Sequence, residues 1–165
     1  MDYEYQQFVN WGDHRIRLSW IPLHTEIPEY IVTSAHALCF YENRLLLVDI
    51  NTRGFDILGG HVEEGETTEQ ACLREVYEEG YVKGDATFIG YLEVNHCENI
   101  HWTPNSKYPK IAYQAYYKVD ITEIMPFDAG FETSKRIFVD MDQFSNFYHN
   151  KDNAQVIQAI LASIV

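Results

Sequence analysis

The chain has 165 residues, 46% of them hydrophobic and 15% aromatic, which predicts a folded protein with one domain over residues 1–165. The chain has 12 basic and 25 acidic residues, which give it a net charge of −13. A nucleic-acid polymer needs a basic face, so this balance excludes one as a partner. No apolar run approaches the length of a membrane span, and we expect no membrane association. Three cysteines without paired spacing, Cys39, Cys72 and Cys97, predict free thiols and a cytoplasmic location.

The first half of the chain predicts mainly strands. Residues 1–28 hold one candidate, "HRIRLSWI", and their role is otherwise open. "YIVTSAHALCFY" and "RLLLVDI" follow, and the second is apolar throughout, which predicts a central, buried strand. "FDIL" is a short strand running into Gly59–Gly60, where we expect a sharp turn that exposes backbone carbonyls.

A helix is predicted after Thr67, because Thr67 and Gln70 have the spacing of a capping box. Its apolar arc comprises Cys72, Leu73, Val76 and Tyr77. "IAYQAYYKV" and "KRIFVDM" predict later strands, and a last helix starts near Asp152 or Asn153. Residues 97–110 form a long polar segment between long strands, which is typical of functional or mobile loops. Strands with one helix between them and one at the end predict an α/β layered sandwich.

The stretch 59–82 holds seven acidic residues, with Arg74 as its one arginine or lysine. Glu75, Glu78 and Glu79 share one helix face, where like charges destabilise a helix by ~0.2–0.5 kcal/mol per pair. The negative end of the helix dipole disfavours the last two by a further ~0.3–1 kcal/mol each. A solvated charged face is the alternative, but such faces usually place lysine or arginine at this end. The pattern favours a hard divalent cation with oxygen ligands, and Mg²⁺ fits best.

The same stretch resembles the Nudix hydrolase signature, G-x5-E-x7-R-E-U-x-E-E-x-G-U, in which U is a bulky apolar residue. The matching residues are Gly60, Glu66, Arg74, Glu75, Val76, Glu78 and Glu79. This MutT-like resemblance implies a Nudix-type α/β/α sandwich with a mixed β-sheet. Leu58 stands where many members have proline, and Phe55 is the aromatic residue three positions earlier.

The glycine after the acidic pair departs from the signature. Gly80 follows Glu79 directly, whereas the family's glycine comes one residue later. Either Gly80 ends the helix one residue early or one residue is missing. We expect the helix to stop directly after Glu79.

The resemblance implies Mg²⁺-dependent hydrolysis of a nucleoside diphosphate linked to another group, with Mn²⁺ as an alternative ion. Glu75, Glu78 and Glu79 would hold the metal together with the carbonyl of Gly59. Arg74 and Glu66 would form the ion pair that supports the site. A proton acceptor for water would be one of the three glutamates or a later acid. The later acids considered are Glu132, which is preferred, and the alternatives Glu93 and Glu98.

The substrate is less determined by the sequence. Arg53 is a candidate contact to phosphate, and Phe55, Trp102 and Tyr108 are candidate contacts to a base, although ordinary packing is the favoured explanation of each aromatic taken alone. Because the chain is short, a nucleoside triphosphatase acting on 8-oxo-dGTP-like nucleotides is favoured over an ADP-ribose or nucleotide-sugar pyrophosphatase. A non-catalytic nucleotide sensor is the alternative of another class. Family members often form homodimers, and the sequence leaves this open.

Overall fold

The computed structural model describes residues 3–22, 26–51, 53–131 and 133–164. Within these ranges it forms strands, helices and two short 3-10 turns at Glu29–Ile31 and Met141–Gln143. The strands are β1 (Tyr5–Trp11), β2 (His14–Pro22), β3 (Val32–Tyr41), β4 (Arg44–Ile50), β5 (Phe55–Asp56), β6 (Leu58–His61), β7 (Val82–Asn95), β8 (Ile111–Ile124) and β9 (Thr133–Asp140). The helices are α1 (Thr68–Gly80), α2 (Phe144–Phe147) and α3 (Ala154–Ile164). None of the helices in the described ranges is long and apolar enough to cross a membrane.

The strands form one mixed sheet in the order β1-β2-β7-β8-β3-β4-β5. Strand β6 also pairs with β3, and β9 also pairs with β4. Strands β3 and β8 run parallel, as in the pair Ala35–Ala115, while the other paired strands run antiparallel. The predicted mixed sheet is therefore confirmed.

Strand β4 is buried on both faces, as its apolar sequence predicts. Leu45 and Leu47 lie in one core, which is closed by Ile157 and its neighbours from α3. Leu46 lies in a second core on the opposite face, together with Val76 from α1. A helix thus covers each side of the sheet, which confirms the α/β/α arrangement.

Helix α1 begins with the predicted capping box. The Gln70 amide N–H donates to Thr67 Oγ1 over 3.1 Å, and the Thr67 N–H donates to Gln70 Oε1 over 2.9 Å. Cys72 and Val76 are buried as expected, but Tyr77 is 44% exposed. The predicted apolar arc was wrong at Tyr77, because the buried face turns toward Glu79 and Gly80 instead.

The expected end of α1 was also wrong by one residue. The helix continues through Gly80, and Tyr81 ends it in the left-handed conformation with φ 54° and ψ 41°. A Cβ on Gly80 would lie 2.7 Å from Leu58 Cδ2 and 2.9 Å from Leu46 Cδ2, so close packing excludes a side chain there. No residue is missing, because Tyr81 occupies the family's glycine position and adopts the conformation that glycine usually provides.

Contacts of the Tyr81 side chain accompany this unusual cap. Its ring packs edge-on against Phe127 at 4.8 Å between centroids, and its hydroxyl accepts the Gly130 N–H over 2.7 Å. A left-handed conformation costs a residue with a side chain roughly 1–2 kcal/mol. Burial of an aromatic ring and a satisfied hydroxyl offset this cost.

Gly59 and Gly60 lie within strand β6, so the turn expected there was wrong. Gly59 pairs with His36 and Gly60 with Ala35. A Cβ on Gly59 would lie 2.7 Å from the Ala35 carbonyl oxygen and 2.8 Å from His36 Cγ. Glycine is needed for close approach of β6 to β3, and its role is packing.

Gly80→Ala tests the packing role of this glycine. Alanine favours a helix over glycine by about 1 kcal/mol, but the added methyl group would overpack the contact with Leu46 and Leu58 at a cost of about 1–3 kcal/mol. We expect a net decrease in the free energy of unfolding, measured by urea denaturation. The exposed substitution Glu69→Ala is the control on the same helix and should change stability little. An equally or more stable Gly80→Ala variant would contradict the packing assignment.

Candidate active site

The segment between β6 and α1 is tied to the sheet and to itself. The Val62 N–H donates to the Thr33 carbonyl over 3.1 Å. The Glu63 N–H donates to Glu66 Oε1 over 2.8 Å, and the Glu66 N–H donates back to the Glu63 carbonyl over 3.1 Å. These bonds hold Glu66 in place at the start of the helix.

Arg74 joins this loop to the helix and the strand. Its Nε and Nη2 donate to the two oxygens of Glu66 over 2.8 and 2.9 Å, which is the pair implied by the signature. Nη2 also donates to the His61 carbonyl over 3.0 Å, and Nη1 donates to Glu75 Oε1 over 2.8 Å. The hydrogen bonds from Arg74 lower the pKa of Glu66 to about 2, and its carboxylate partners raise the pKa of Arg74.

One guanidinium here faces several carboxylates. Oxygens of four glutamates lie within 4.0 Å of Arg74, at 3.8, 2.8, 2.8 and 3.4 Å for Glu63, Glu66, Glu75 and Glu78. A single positive charge cannot neutralise four negative ones. The excess of hard oxygen donors fits a divalent cation such as Mg²⁺ in ligand type and in charge.

Glu79 lies on the other side of this cluster and is only 3% exposed. Its Oε1 accepts the Gly59 N–H over 2.8 Å. In an extended strand the N–H and C=O of one residue point to the same side, so the Gly59 carbonyl also points away from β3, toward the helix. In this structure it is the N–H of Gly59, and not its carbonyl, that contacts Glu79.

The glutamate carboxylates match a metal ion in the type of their donor atoms and in their charge. Among the described residues, no three histidine, cysteine, aspartate or glutamate side chains are gathered in a coordinating arrangement. Oε1 of Glu75 is bound by Arg74 and Oε1 of Glu79 by the Gly59 amide. The carboxylates are thus held in place by protein donors.

Two residues of β9 stabilise the carboxyl end of α1. Thr133 Oγ1 donates to the Glu79 carbonyl over 2.7 Å. Arg136 Nη1 donates to the carbonyls of Gly80 and Met125 over 3.0 Å each, and to that of Tyr81 over 3.3 Å. This guanidinium supplies positive charge at the negative end of the helix, which the helix's own last turn lacks. Part of the charge missing from the sequence of α1 therefore comes from a distant strand.

A cavity of about 560 Å³ adjoins the start of the acidic loop. It lies on the sheet face opposite α1, since Ser34 and His36 share their face of β3 with Leu38 from the core under α3. Its wall includes Gly60 and His61. A Cβ on Gly60 would lie 2.5 Å from Glu75 Cδ, so Gly60 both lines the cavity and packs directly against one of the carboxylates.

Two of the four predicted substrate contacts line this cavity. The Tyr108 ring stacks on His61 at 6.1 Å between centroids, and Trp102 Nε1 donates to the Tyr108 carbonyl over 3.0 Å. Arg53 is exposed and Phe55 packs against Phe147 at 6.3 Å, and neither lines the cavity.

The candidate later acids have different surroundings. Glu132 lies outside the described residues, although Phe131 and Thr133 beside it contact Tyr81 and Glu79, respectively. Glu93 is 3% exposed and accepts hydrogen bonds from the hydroxyls of Tyr3 and Tyr113. Glu98 is an exposed residue paired with Arg15 over 3.9 Å.

Carboxylates on one helix lie against a mixed sheet that is covered by a helix on each side. Residues 32–160 match the family model of the NUDIX domain, and the chain belongs to this family. It is accordingly a hydrolase of the Nudix pyrophosphohydrolase class, whose members generally use divalent metals such as Mg²⁺ and act on small nucleotides.

Solved structures with this fold share little sequence with the chain. The Bacillus subtilis pyrophosphohydrolase BsRppH superposes with a TM-score of 0.72 at 18% identity, covering 96% of both chains. MutT, from work on the Aliivibrio salmonicida and Vibrio cholerae enzymes, gives a TM-score of 0.55 at 16% identity over 78% of this chain and 94% of its own. A Caenorhabditis elegans Ap4A hydrolase gives 0.50 at 17% identity over 79% and 93%. No match is found among curated proteins.

The Glu66–Arg74 pair predicts an acid-dependent loss of stability. The pKa of Glu66 is lowered from 4.5 to about 2 in the folded chain, so its stabilising contribution is complete above pH 4.5 and is lost as the pH falls toward 2. We expect Glu66→Gln to have a lower free energy of unfolding than the wild type at pH 6, and this difference to shrink as the pH falls from 4.5 toward 2. Urea denaturation at a series of pH values measures the free energy of unfolding of both proteins. Glu64→Gln, an exposed neighbour, is the control. A difference that is constant with pH would contradict the assignment.

Proposed function

We propose that this chain is a Mg²⁺-dependent hydrolase of a nucleoside diphosphate linked to another group. A nucleoside triphosphate, including oxidised forms such as 8-oxo-dGTP, is the favoured substrate, and it would be cleaved to the monophosphate and diphosphate. The observation that carries the proposal is the group of four carboxylates around Arg74 beside the cavity at Gly60. An excess of carboxylates facing a substrate of the same sign requires a cation between them.

The residues divide into ligands and supports. Glu75, Glu78 and Glu79 would hold the metal, with the Gly59 carbonyl directed to the same side. When bound, the metal would neutralise phosphate oxygens and make a water molecule more acidic. Arg74 and Glu66 hold the loop and the helix together. One of the three glutamates, or a later acid, would accept the proton from the attacking water.

The position of Gly60 suggests how the substrate lies. The nucleoside would occupy the cavity, where Lys107 is the only lysine or arginine among the lining residues. Its phosphates would pass along Gly60 and His61 to the carboxylates behind them. Trp102 and Tyr108 line the cavity and would contact the base. We propose no contact for Arg53 or Phe55.

The wider setting follows from the same observations. Cys39, Cys72 and Cys97 are unpaired, which supports the cytoplasm as the compartment. A small nucleotide is the proposed partner, and a homodimer stays a proposal. ADP-ribose and nucleotide sugars remain competing substrates that a panel with and without Mg²⁺ would separate.

Glu79→Gln tests the catalytic assignment. Glutamine keeps an oxygen for the Gly59 amide but removes the charge, so folding should be retained while Mg²⁺-dependent turnover falls by about 100-fold or more. Phosphate and diphosphate release across the nucleotide panel measures it. Glu69→Gln, an exposed charge change on the same helix, is the matched control and should leave turnover unchanged. Equal turnover of Glu79→Gln and wild type would refute the role of Glu79.

The same panel decides between an enzyme and a sensor. A sensor would release no phosphate from any nucleotide, with or without Mg²⁺, yet would bind one of them in calorimetry. The proposed hydrolase requires release with at least one substrate.

Glu132→Gln tests the preferred later acid. If this residue accepts a proton or binds the metal, turnover at saturating Mg²⁺ should fall by about 10-fold or more. Glu42→Gln, the same change at an exposed acid in the turn between β3 and β4, is the control and should leave turnover unchanged. Turnover equal to that of the wild type at saturating Mg²⁺ would remove Glu132 from the site.

A further inference from the structure

Asn99 holds two histidine rings at the cavity wall. Its Nδ2 lies 2.9 Å from His14 Nδ1 and 3.0 Å from His96 Nδ1, and its Oδ1 accepts the His101 backbone N–H over 3.1 Å. A backbone amide can only donate, so the atom facing His101 must be the amide oxygen. The NH₂ group of Asn99 therefore faces both histidines, and the orientation of the amide is fixed.

This orientation determines where the histidines carry their hydrogens. An amide NH₂ has two hydrogens and no acceptor, so each Nδ1 that it contacts must accept. A neutral imidazole that accepts at Nδ1 carries its hydrogen on Nε2. Both His14 and His96 are thus set as Nε2–H donors.

His96 directs this donor toward the cavity. The residue is 9% exposed and contributes to the cavity wall, as do His14 and Asn99. In the described part of the chain, no protein group bonds to His96 Nε2, and this atom is not among those enclosed without a partner, which are Arg17 Nε and Trp20 Nε1. A ligand in the cavity can therefore reach it. Burial lowers the pKa of His96, which keeps the ring neutral near pH 7.

Two other polar side chains of the wall, those of His36 and Gln114, are not free donors of fixed orientation. His36 Nε2 is already bonded to Ser34 Oγ over 3.0 Å. The amide of Gln114 has both a donor and an acceptor and can turn to suit either. His14 and His96, by contrast, are fixed by Asn99 as hydrogen-bond donors at Nε2.

We propose that His96, assisted by His14 at the rim, recognises a carbonyl oxygen on the base of the substrate, and that Asn99 positions both. The inference rests on the proposed function, because it assumes that a nucleoside occupies the cavity. Bases with an oxo group, such as hypoxanthine, guanine and uracil, satisfy an N–H donor. Adenine and cytosine present an amino group at the corresponding position and leave the donor facing another donor. His96 and Asn99 are then specificity-determining residues.

The kinetic test uses matched nucleotides. ITP and ATP differ at the purine 6-position, and UTP and CTP at the pyrimidine 4-position. In at least one of these pairs we expect kcat/KM to be about tenfold or more higher for the oxo nucleotide, ITP over ATP or UTP over CTP. The pair that shows the preference identifies whether purines or pyrimidines are bound. Equal kcat/KM within both pairs would overturn the proposal.

Asn99→Asp replaces the donating amide with an accepting carboxylate of nearly the same shape. A carboxylate keeps the acceptor for the His101 N–H but cannot donate, so the neutral histidines would turn their hydrogens toward it at Nδ1 and present Nε2 as an acceptor. At about pH 9, where histidines are neutral, the oxo preference should disappear or invert. Asn146→Asp, the same change at an exposed site on α2, is the control and should keep the preference. A preference unchanged in Asn99→Asp would count against the positioning role.

A second measurement does not depend on turnover. Long-range proton–nitrogen NMR spectra distinguish the two neutral histidine tautomers, and we expect hydrogen on Nε2 for His14 and His96. Titration with inosine and adenosine, and with uridine and cytidine, monitored on the same signals, should show tighter binding of the oxo base in at least one pair. If no nucleotide is hydrolysed, the proposed function fails while these spectra still decide the inference. Hydrogen on Nδ1 of His96, or equal binding within both pairs, would overturn it.

Discussion

The guanidinium of Arg74 is the interaction on which the candidate site depends. It reaches the loop through Glu66, the strand β6 through the His61 carbonyl, and its own helix through Glu75. The N–H of Gly59 adds a second contact between β6 and the helix through Glu79. Because one rigid, planar cation makes all three contacts, the carboxylates keep a fixed position relative to the cavity behind Gly60.

The carboxyl end of α1 shows how the fold tolerates an unfavourable charge pattern. Glu78 and Glu79 stand where the helix dipole is negative, and Arg136 brings positive charge to that end from strand β9. Thr133 binds the Glu79 carbonyl, so the same strand restrains the backbone of a candidate ligand. Arg136 bonds to backbone carbonyls and leaves the Arg74 cluster with its excess of carboxylates. The helix end and the carboxylate face thus need separate sources of positive charge.

Local sequence predicted the parts of the fold that local forces determine. The capping box at Thr67 is formed by residues three apart in sequence, and the apolar sequence of β4 by itself predicts a strand that is buried on both faces. The role of Gly80 could not be read in this way, because it is decided by Leu46 from a distant strand. Strand β1 is not predicted by its sequence, because Val9 is its one buried residue and because polar Gln7 on the inner face and exposed Phe8 break the alternation of apolar residues. Arg136 was missed because nothing in its own strand indicates that it reaches a helix end.

The candidate site was predictable to the same extent. The signature fixes the spacing of the glutamates on one helix, and the resemblance to the family implied the pairing of Arg74 with Glu66, which the structure forms. The cavity is assembled from β1, β2, β3, β6, β7, β8 and the segment after β7, and no single stretch of sequence contains it. Trp102 and Tyr108 were found as candidates because they lie in a long loop. Asn99 was not, since its importance arises only when folding brings His14 beside His96.

The two halves of the candidate site therefore work by different physics. On one side of Gly60, charge dominates: carboxylates exceed the available cations, and a phosphate could approach only with a metal ion between them. On the other side the wall is aromatic and carries imidazoles, and burial keeps His36 and His96 neutral by lowering their pKa. Lys107 is the one lysine or arginine among the described lining residues, and an uncharged base gives it no charge to distinguish. If a nucleoside occupies this cavity, as we propose, its base would be selected by shape and by the direction of hydrogen bonds, and the asparagine that fixes the hydrogens of two histidines would govern that choice.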